Sequence, residues 1–201
     1  MSTLYFYGNE VMACLFGGRQ RPTDVIQIDG AHGRSYALAV LSAGIDAEVN
    51  LVTNSLNWPK GNMRYVRGVA QCLRDYRLYG FNLQIDGVAA SGPVTLVSVA
   101  NCRFMGGGMN IAPGAQTNDG LLDVVIGYAP KPITLAGLLP LVYVGRHTSS
   151  PVVHMKRGSH IRLEEDLSVG GPTPIAMADG EVVGPFPLDI RCLSGGLDLL
   201  I

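Results

Sequence analysis

Residues 101–125, NCRFMGGGMNIAPGAQTNDGLLDVV, constrain the fold of this chain more than any other stretch. They leave an apolar, β-branched run (Val94, Leu96, Val97, Val99), cross three glycines and turn at Pro113-Gly114. They then pass Asn118-Asp119-Gly120 and enter a second apolar run at 121–126. Two strand-like segments therefore flank a long connection dense in turn residues. Such a connection presents backbone carbonyls and a carboxylate together, which is what a hard metal ion takes. On composition alone the same pattern also describes a loop that binds nothing.

Short runs and turns continue along the chain, with 26 glycines and 12 prolines. Val25 and Ile28, followed by residues 36–41, predict a hairpin with Asp29-Gly30 or His32-Gly33 near its turn. Residues 19–24 read as a polar turn before it. Phe81, Leu83 and Ile85 alternate with Asn82, Gln84 and Asp86, a half-buried strand ending at Asp86-Gly87. Further strands are expected at 94–100, 121–126 and 160–164, on both sides of Asp179-Gly180, and at 188–192 and 197–201. Residues 164–166 read as an acidic, solvated turn.

Helical spacing runs over 63–79. Tyr65, Val69, Cys72, Leu73 and Tyr76 share one face, and Arg64, Arg67, Gln71 and Arg74 lie largely on another, with Gly80 as a C-terminal cap. Residues 54–62 form a loop carrying the only tryptophan, Trp58. Residues 130–144 predict a short helix that Pro140 kinks or splits. About ten short strands against one or two helices make an all-β or β-rich domain, a two-layer β-sandwich or a distorted barrel.

The 201 residues suffice for one domain with a sizeable core, set at 19–201, with 1–18 apart from it. In that first segment residues 4–8 resemble a protease-cleavage linker and residues 10–16 the end of a helix. A net charge of -1 gives no footprint for nucleic acid. The longest apolar stretch, 132–145, is too short and too broken by Pro140 to span a bilayer, and no signal peptide is visible. Cys14, Cys72, Cys102 and Cys192 lie far apart without a CxxC pair, which argues against zinc and for reduced thiols in a cytosolic protein. The four histidines are too dispersed for a metal site, and no GxSxG elbow supports a hydrolase.

Four motifs, in order over roughly residues 22–195, resemble one family. Asn101, the triple glycine, Ala112-Pro113, Ala115 and Asp119-Gly120-Leu121-Leu122-Asp123 resemble the C-terminal half of the bacterial diacylglycerol kinase-like lipid kinases. Sphingosine and ceramide kinases belong to the same family. Ser42-Ala43-Gly44-Ile45-Asp46-Ala47 looks like its Gly-aromatic-Asp-Ala motif, with Ile45 in place of the aromatic. Gly145-Arg146-His147 looks like its Gly-Lys-His, and Asp179-Gly180-Glu181 like its late Asp-Gly-Glu. These last two motifs favour lipid kinases over the related NAD kinase architecture.

The resemblance implies a two-layer β-sandwich with few helices, the second domain of a two-domain kinase. In that family the ATP γ-phosphoryl group passes to a lipid hydroxyl in a cleft between the domains. Neither a Gly-Gly-Asp-Gly-Thr nucleotide motif nor a P-loop occurs in these residues. ATP is therefore expected on a separate N-terminal domain, and this domain alone is expected to be inactive. By the same resemblance Glu181 takes the proton of the attacking hydroxyl. Asp119 binds Mg²⁺ with backbone oxygens of Gln116 and Leu121, and Asp46 is a candidate for the lipid hydroxyl or the phosphate network. Asp179 shapes its turn, and His147 caps or hydrogen-bonds a loop. The implied protein is cytoplasmic and peripheral to the membrane that holds its lipid substrate, without a transmembrane segment. Diacylglycerol, a sphingoid base, phosphatidylglycerol and an undecaprenol-like alcohol remain open as acceptors. The alternative is a stand-alone lipid- or small-ligand-binding sandwich without kinase activity.

Overall fold

The computed structural model describes residue 18 and residues 20–200, apart from 59–61, 107 and 130. The expected linker-like segment and helix end at 4–16 lie outside the described residues. In chain order the strands are β1 (Gln20–Gly30), β2 (Gly33–Ala37), β3 (Val40–Gly44), β4 (Tyr79–Ile85), β5 (Val88–Val94) and β6 (Leu96–Ala100). They continue as β7 (Leu122–Gly127), β8 (Val153–Gly158), β9 (His160–Glu165), β10 (Ala176–Ala178), β11 (Glu181–Gly184) and β12 (Leu188–Leu200). The helices are α1 (Ile45–Ser55), α2 (Asn62–Arg74) and α3 (Pro132–Tyr143). One sheet runs β2-β1-β12-β9-β4-β5 and the other β11-β10-β3-β6-β7-β8, all pairs antiparallel. This is the expected β-rich sandwich.

The two sheets differ in what covers their outer faces. Strands of the first alternate: Phe81, Leu83, Ile161, Leu163, Leu188 and Ile190 point into the core, while Gln84, Arg162 and Arg191 face water. Strands of the second do not alternate, and β3 is buried along its whole length. Leu41, Val97, Val99, Leu122 and Val124 enter the core between the sheets. Val40, Ala100 and Val125 face the other way, into a second cluster with Met109, Ile111 and Val142. That second layer buries the middle strands β3, β6 and β7 on both faces, while the edge strands β8 and β11 stay partly exposed.

Several expected boundaries shift. Residues 36–41 are not one strand. The chain breaks at Leu38-Ala39 and passes from the first sheet to the second, which divides β2 from β3. A similar crossing at Thr95 divides the expected strand at 94–100. Asn101 holds the first crossing in place. Its buried amide nitrogen donates to the carbonyls of Asp24 and Leu38 at 2.7 and 3.0 Å. Residues 20–24 are strand rather than turn, because they pair with the far end of β12. The two expected C-terminal strands are that single strand β12, with a register irregularity opposite Thr23 and Val25.

Helix α2 stops at Arg74, and Gly80 lies inside β4 instead of capping it. A Cβ there would stand 1.8 Å from the Asp166 carbonyl oxygen, so close passage of two backbones requires this glycine. Glu164 and Glu165 end β9, leaving only Asp166 in the turn. Pro140 is accommodated within α3 without splitting it. Helix α1 was not expected, although Ile45, Val49 and Val52 have i, i+4, i+7 spacing and Asp46 and Glu48 favour its N-terminal turn.

Candidate functional site

The second sheet's outer face carries the site. Ser42 of β3 pairs with Ser98 of β6, and both side chains are buried on that face. Two residues beyond β3, Asp46 stands in the first turn of α1, and its carboxylate accepts hydrogen bonds from Ser98 Oγ at 2.8 Å and the Ala47 N–H at 3.0 Å. Burial pushes the Asp46 carboxyl up from its ordinary 3.8 to about 6, with hydrogen bonds from Ser98 and Ser42 opposing the rise. A carboxyl perturbed by desolvation and set in a cavity wall marks a candidate site.

The cavity holds ≈ 80 Å³, several times the space one water needs, and its walls are almost wholly apolar. Val69 and Leu73 come from α2, Leu135, Leu138 and Val142 from α3, and Val125 from the sheet. Asp46, Thr95 and His147 supply its polar points. A second, more polar hollow of ≈ 340 Å³ adjoins it, lined by Ser42, Asn50, Asp179 and Gly180 among others. Met105 and Met109 line both. Their backbones exchange hydrogen bonds at 2.9 and 3.0 Å, closing a minimal hairpin at the glycine-rich segment. Met105 and Met109, on either side of the glycines, thus stand between an apolar and a polar chamber.

The Asp-Gly-Glu turn borders the polar chamber. Leu38, Ala39 and Val40 N–H groups donate to the Asp179 carboxylate at 2.7, 3.1 and 2.9 Å. Asp179, at φ 49°, so fastens its turn to the crossing that leads into β3. Glu181 follows as the exposed first residue of edge strand β11, and among the described residues no group hydrogen-bonds its carboxylate. It pairs with Ala178, which pairs with Leu41, both of them core residues. By alternation Glu181 therefore stands in the row facing between the sheets, at its open edge. Asp46 and Ser42 belong to the opposite face. Gly180, which lines the polar chamber, is the nearest link between them.

The expected metal loop is fastened by protein groups. The buried Asp24 carboxylate accepts the N–H groups of Gly120 at 2.7 Å and Gly195 at 2.8 Å. One Asp119 oxygen accepts the Leu121 N–H at 3.1 Å, and the other pairs with Arg157. Arg157 also lies 3.6 Å from Asp123. The second Asp123 oxygen is buried without a hydrogen-bond partner, and burial raises this carboxyl above its usual range. Gln116 is exposed and Leu121 half-buried. Among the described residues, no three His, Cys, Asp or Glu side chains converge on one point. The donors still fit a hard cation that takes one or two carboxylates plus backbone oxygens, because an orphaned buried carboxylate oxygen adjoins Asp119.

His147 is buried, bonds the Ile111 carbonyl at 2.9 Å through Nε2, and burial lowers its basicity. It ties the loop after α3 to the glycine-rich segment. Gly145 before it has φ 69°, and a Cβ there would meet Asn110 at 2.8 Å. Ser98 and Asn50 were not singled out from the sequence, and Ser42 and Asp24 were given no site role there. The parity of Ser42 and Ser98 within apolar strands was the available signal, since a serine inside such a run needs a partner.

Comparison with known proteins agrees with this fold. A family model described as the YegS C-terminal NAD kinase beta sandwich-like domain matches residues 39–201. The diacylglycerol kinase of Mycobacterium tuberculosis (strain ATCC 25618 / H37Rv) is 31% identical over 162 residues, covering 80% of this chain and 50% of that protein. A "Probable lipid kinase YegS-like" of Xanthomonas campestris pv. campestris (strain 8004) is 28% identical over 186 residues, 88% of this chain and 56% of that one. The chain thus spans about half the length of these curated relatives. A diacylglycerol kinase crystal structure from Bacillus anthracis str. Sterne shares the fold, with TM-score 0.58 at 13% identity over 90% of this chain and 54% of that one.

Proposed function

The chain belongs to the family of YegS C-terminal, NAD kinase β-sandwich-like domains, and from that premise we propose that it is the acceptor-binding part of an ATP-dependent lipid kinase. The observation that carries the reading is one half-buried carboxylate, Asp46, at the polar edge of an otherwise apolar cavity. A lipid alcohol has the matching shape: its chain fills the apolar chamber and its hydroxyl meets Asp46 and Ser42. Met105 and Met109, flexible side chains, adjust the gap through which the head reaches the polar chamber. Glu181 receives the hydroxyl proton only once the head has passed from Asp46 and Ser42 through the polar chamber to the sheet edge beside Gly180, where the nucleotide-bearing part of a longer protein presents ATP.

Asp46 separates this reading from a structural one. Its raised pKa means the folded state holds the proton more tightly than the unfolded chain. Its contribution to stability is therefore greatest below pH 3.8 and is lost as pH rises through the window to about 6. Asp46→Asn should raise Tm relative to wild type at neutral pH and change it little near pH ~4. In the full-length protein, assayed with labelled ATP against a lipid panel, the same change should lower lipid phosphorylation about 10²-fold. This chain alone should phosphorylate nothing. An Asp46→Asn enzyme of normal activity, or transfer by this chain alone, overturns the reading. Lipid binding without phosphoryl transfer by the full-length protein would identify a binding module instead.

Mg²⁺ would be held by Asp119 with backbone oxygens of Gln116 and Leu121, Arg157 turning out to solvent and Asp123 lying behind. Bound there, the ion supplies a fixed positive charge that ties the loop. Adding Mg²⁺ at about 100 times its Kd should stabilise the chain by about 2.7 kcal/mol, and Asp119→Ala should abolish that gain. Equal thermal shifts in wild type and Asp119→Ala would remove the assignment.

A further inference from the structure

Helix α1 carries a second polar side chain in line with Asp46. Asn50 follows it by about one helical turn, ~6 Å along the axis, so the two share a side of the helix. Asn50 lines the polar chamber together with Ser42, Asp179 and Gly180. It is half-buried, and among the described residues no group hydrogen-bonds its amide. Such an amide has both a donor and an acceptor to offer a ligand. The chamber's ≈ 340 Å³ far exceeds the space for one water, about 10–15 Å³, so a head of several heavy atoms fits.

The formal charges around the two chambers are of one sign. Asp46 borders the apolar chamber and Asp179 the polar one, and among the described residues no lysine or arginine lines either. His147 is bonded to the Ile111 carbonyl, and burial disfavours its cationic form. An anionic head would therefore lie near two carboxylates without a cation to pair with, and an unpaired charge is costly to take out of water. We propose that Asn50 selects the acceptor by its head. It takes an uncharged head with a second oxygen, a hydroxyl or an ester carbonyl, beside the reactive hydroxyl, and the chamber turns anionic heads away. This rests on the lipid-kinase reading above. As the reactive hydroxyl moves from Asp46 toward Gly180, the Asn50 amide N–H donates to the oxygen that follows it. Phosphatidylglycerol is then disfavoured by its phosphate, and an undecaprenol-like alcohol by its lack of a second oxygen.

Full-length protein, labelled ATP and lipids dispersed in one neutral detergent test this, because the micelle gives every lipid the same surface. Wild type should phosphorylate diacylglycerol with kcat/KM at least about 100-fold above phosphatidylglycerol and about tenfold above oleyl alcohol, which has a single oxygen. Asn50→Leu should bring the second ratio toward unity at unchanged Tm, since Asn50 holds no other group in place. Asn50→Lys should raise phosphatidylglycerol relative to diacylglycerol at least about tenfold, a gain that misfolding does not produce. Wild type that prefers phosphatidylglycerol or a sphingoid base, or Asn50 variants with wild-type preferences, overturns the inference. Calorimetric titration with dispersed dioctanoylglycerol separates this failure from failure of the kinase reading. Binding about tenfold tighter in wild type than in Asn50→Leu, without phosphoryl transfer, refutes the kinase reading and supports selection by Asn50. Transfer to all of these lipids alike refutes the selection and leaves the kinase reading standing, and neither binding nor transfer refutes both.

Discussion

Glu181→Gln in the full-length protein should lower kcat for lipid phosphorylation by about 10²–10⁴-fold while leaving Tm unchanged. Glutamine keeps the size and polarity but takes no proton, and a lipid hydroxyl is a poor nucleophile until its proton has a destination. The unchanged Tm follows from the structure: among the described residues nothing hydrogen-bonds the Glu181 carboxylate, and the side chain is exposed at a sheet edge. Its neighbour provides the contrast. Asp179 accepts three backbone N–H groups, so Asp179→Ala should lower Tm, and any loss of activity would follow from the displaced turn. The stake lies in strand alternation, which puts Glu181 in the row of Ala178 and Leu41 and not on the face of Asp46. A near-normal kcat in Glu181→Gln would make it a turn residue of the sandwich edge. A loss of the expected size with unchanged lipid and ATP binding would place the transferred group at that edge, beside Gly180.

Asn101→Asp should lower Tm by about 6–20 °C at neutral pH. The Asn101 amide nitrogen is the donor for the buried Asp24 carbonyl at 2.7 Å and the partly buried Leu38 carbonyl at 3.0 Å, and the residue is 0% exposed. An ionised aspartate donates nothing, faces both carbonyls with a negative charge, and deprives each of this bond, the Leu38 carbonyl keeping only the Cys102 Sγ–H at 3.4 Å, at about 1–3 kcal/mol each. A loss of about 3–5 kcal/mol corresponds to about 2–4 °C per kcal/mol for a domain of this size. The acid form can donate one bond, so the folded state raises this carboxyl's pKa. The variant should therefore regain stability at low pH and lose it as pH rises. Asn101→Leu, which restores no donor, should show a loss without that pH dependence. A thermal shift below about 2 °C in Asn101→Asp would show that the crossing at Leu38-Ala39 is held by other contacts.

The sequence by itself determined the class of fold and the identity of the motifs. Alternation in Phe81, Leu83 and Ile85 depends only on a sheet with one wet face, so local pattern was enough. The turns at Asp86-Gly87 and Asp179-Gly180 were legible because all four residues adopt positive φ, which Asp and Gly tolerate. The glycine-rich segment, Asp46, Asp119 and Glu181 were singled out because a motif shows in any register.

Tertiary structure decided what non-local contacts decide. Residues 36–41 look continuous, yet they break where Asp179 and Asn101, 141 and 63 residues from Leu38 in the chain, bind its backbone. Gly80 resembled a helix cap, and only the passage of Asp166 across it explains the glycine. Residues 20–24 became strand because β12 offers their backbone a partner, and Asp24 became buried because Gly120 and Gly195 converge on it. Which carboxylates share a face is also beyond local pattern. Asp46 and Glu181 fall on opposite faces of one sheet because a single residue of register inverts a strand's side chains, and that register is set by partners far away in the sequence.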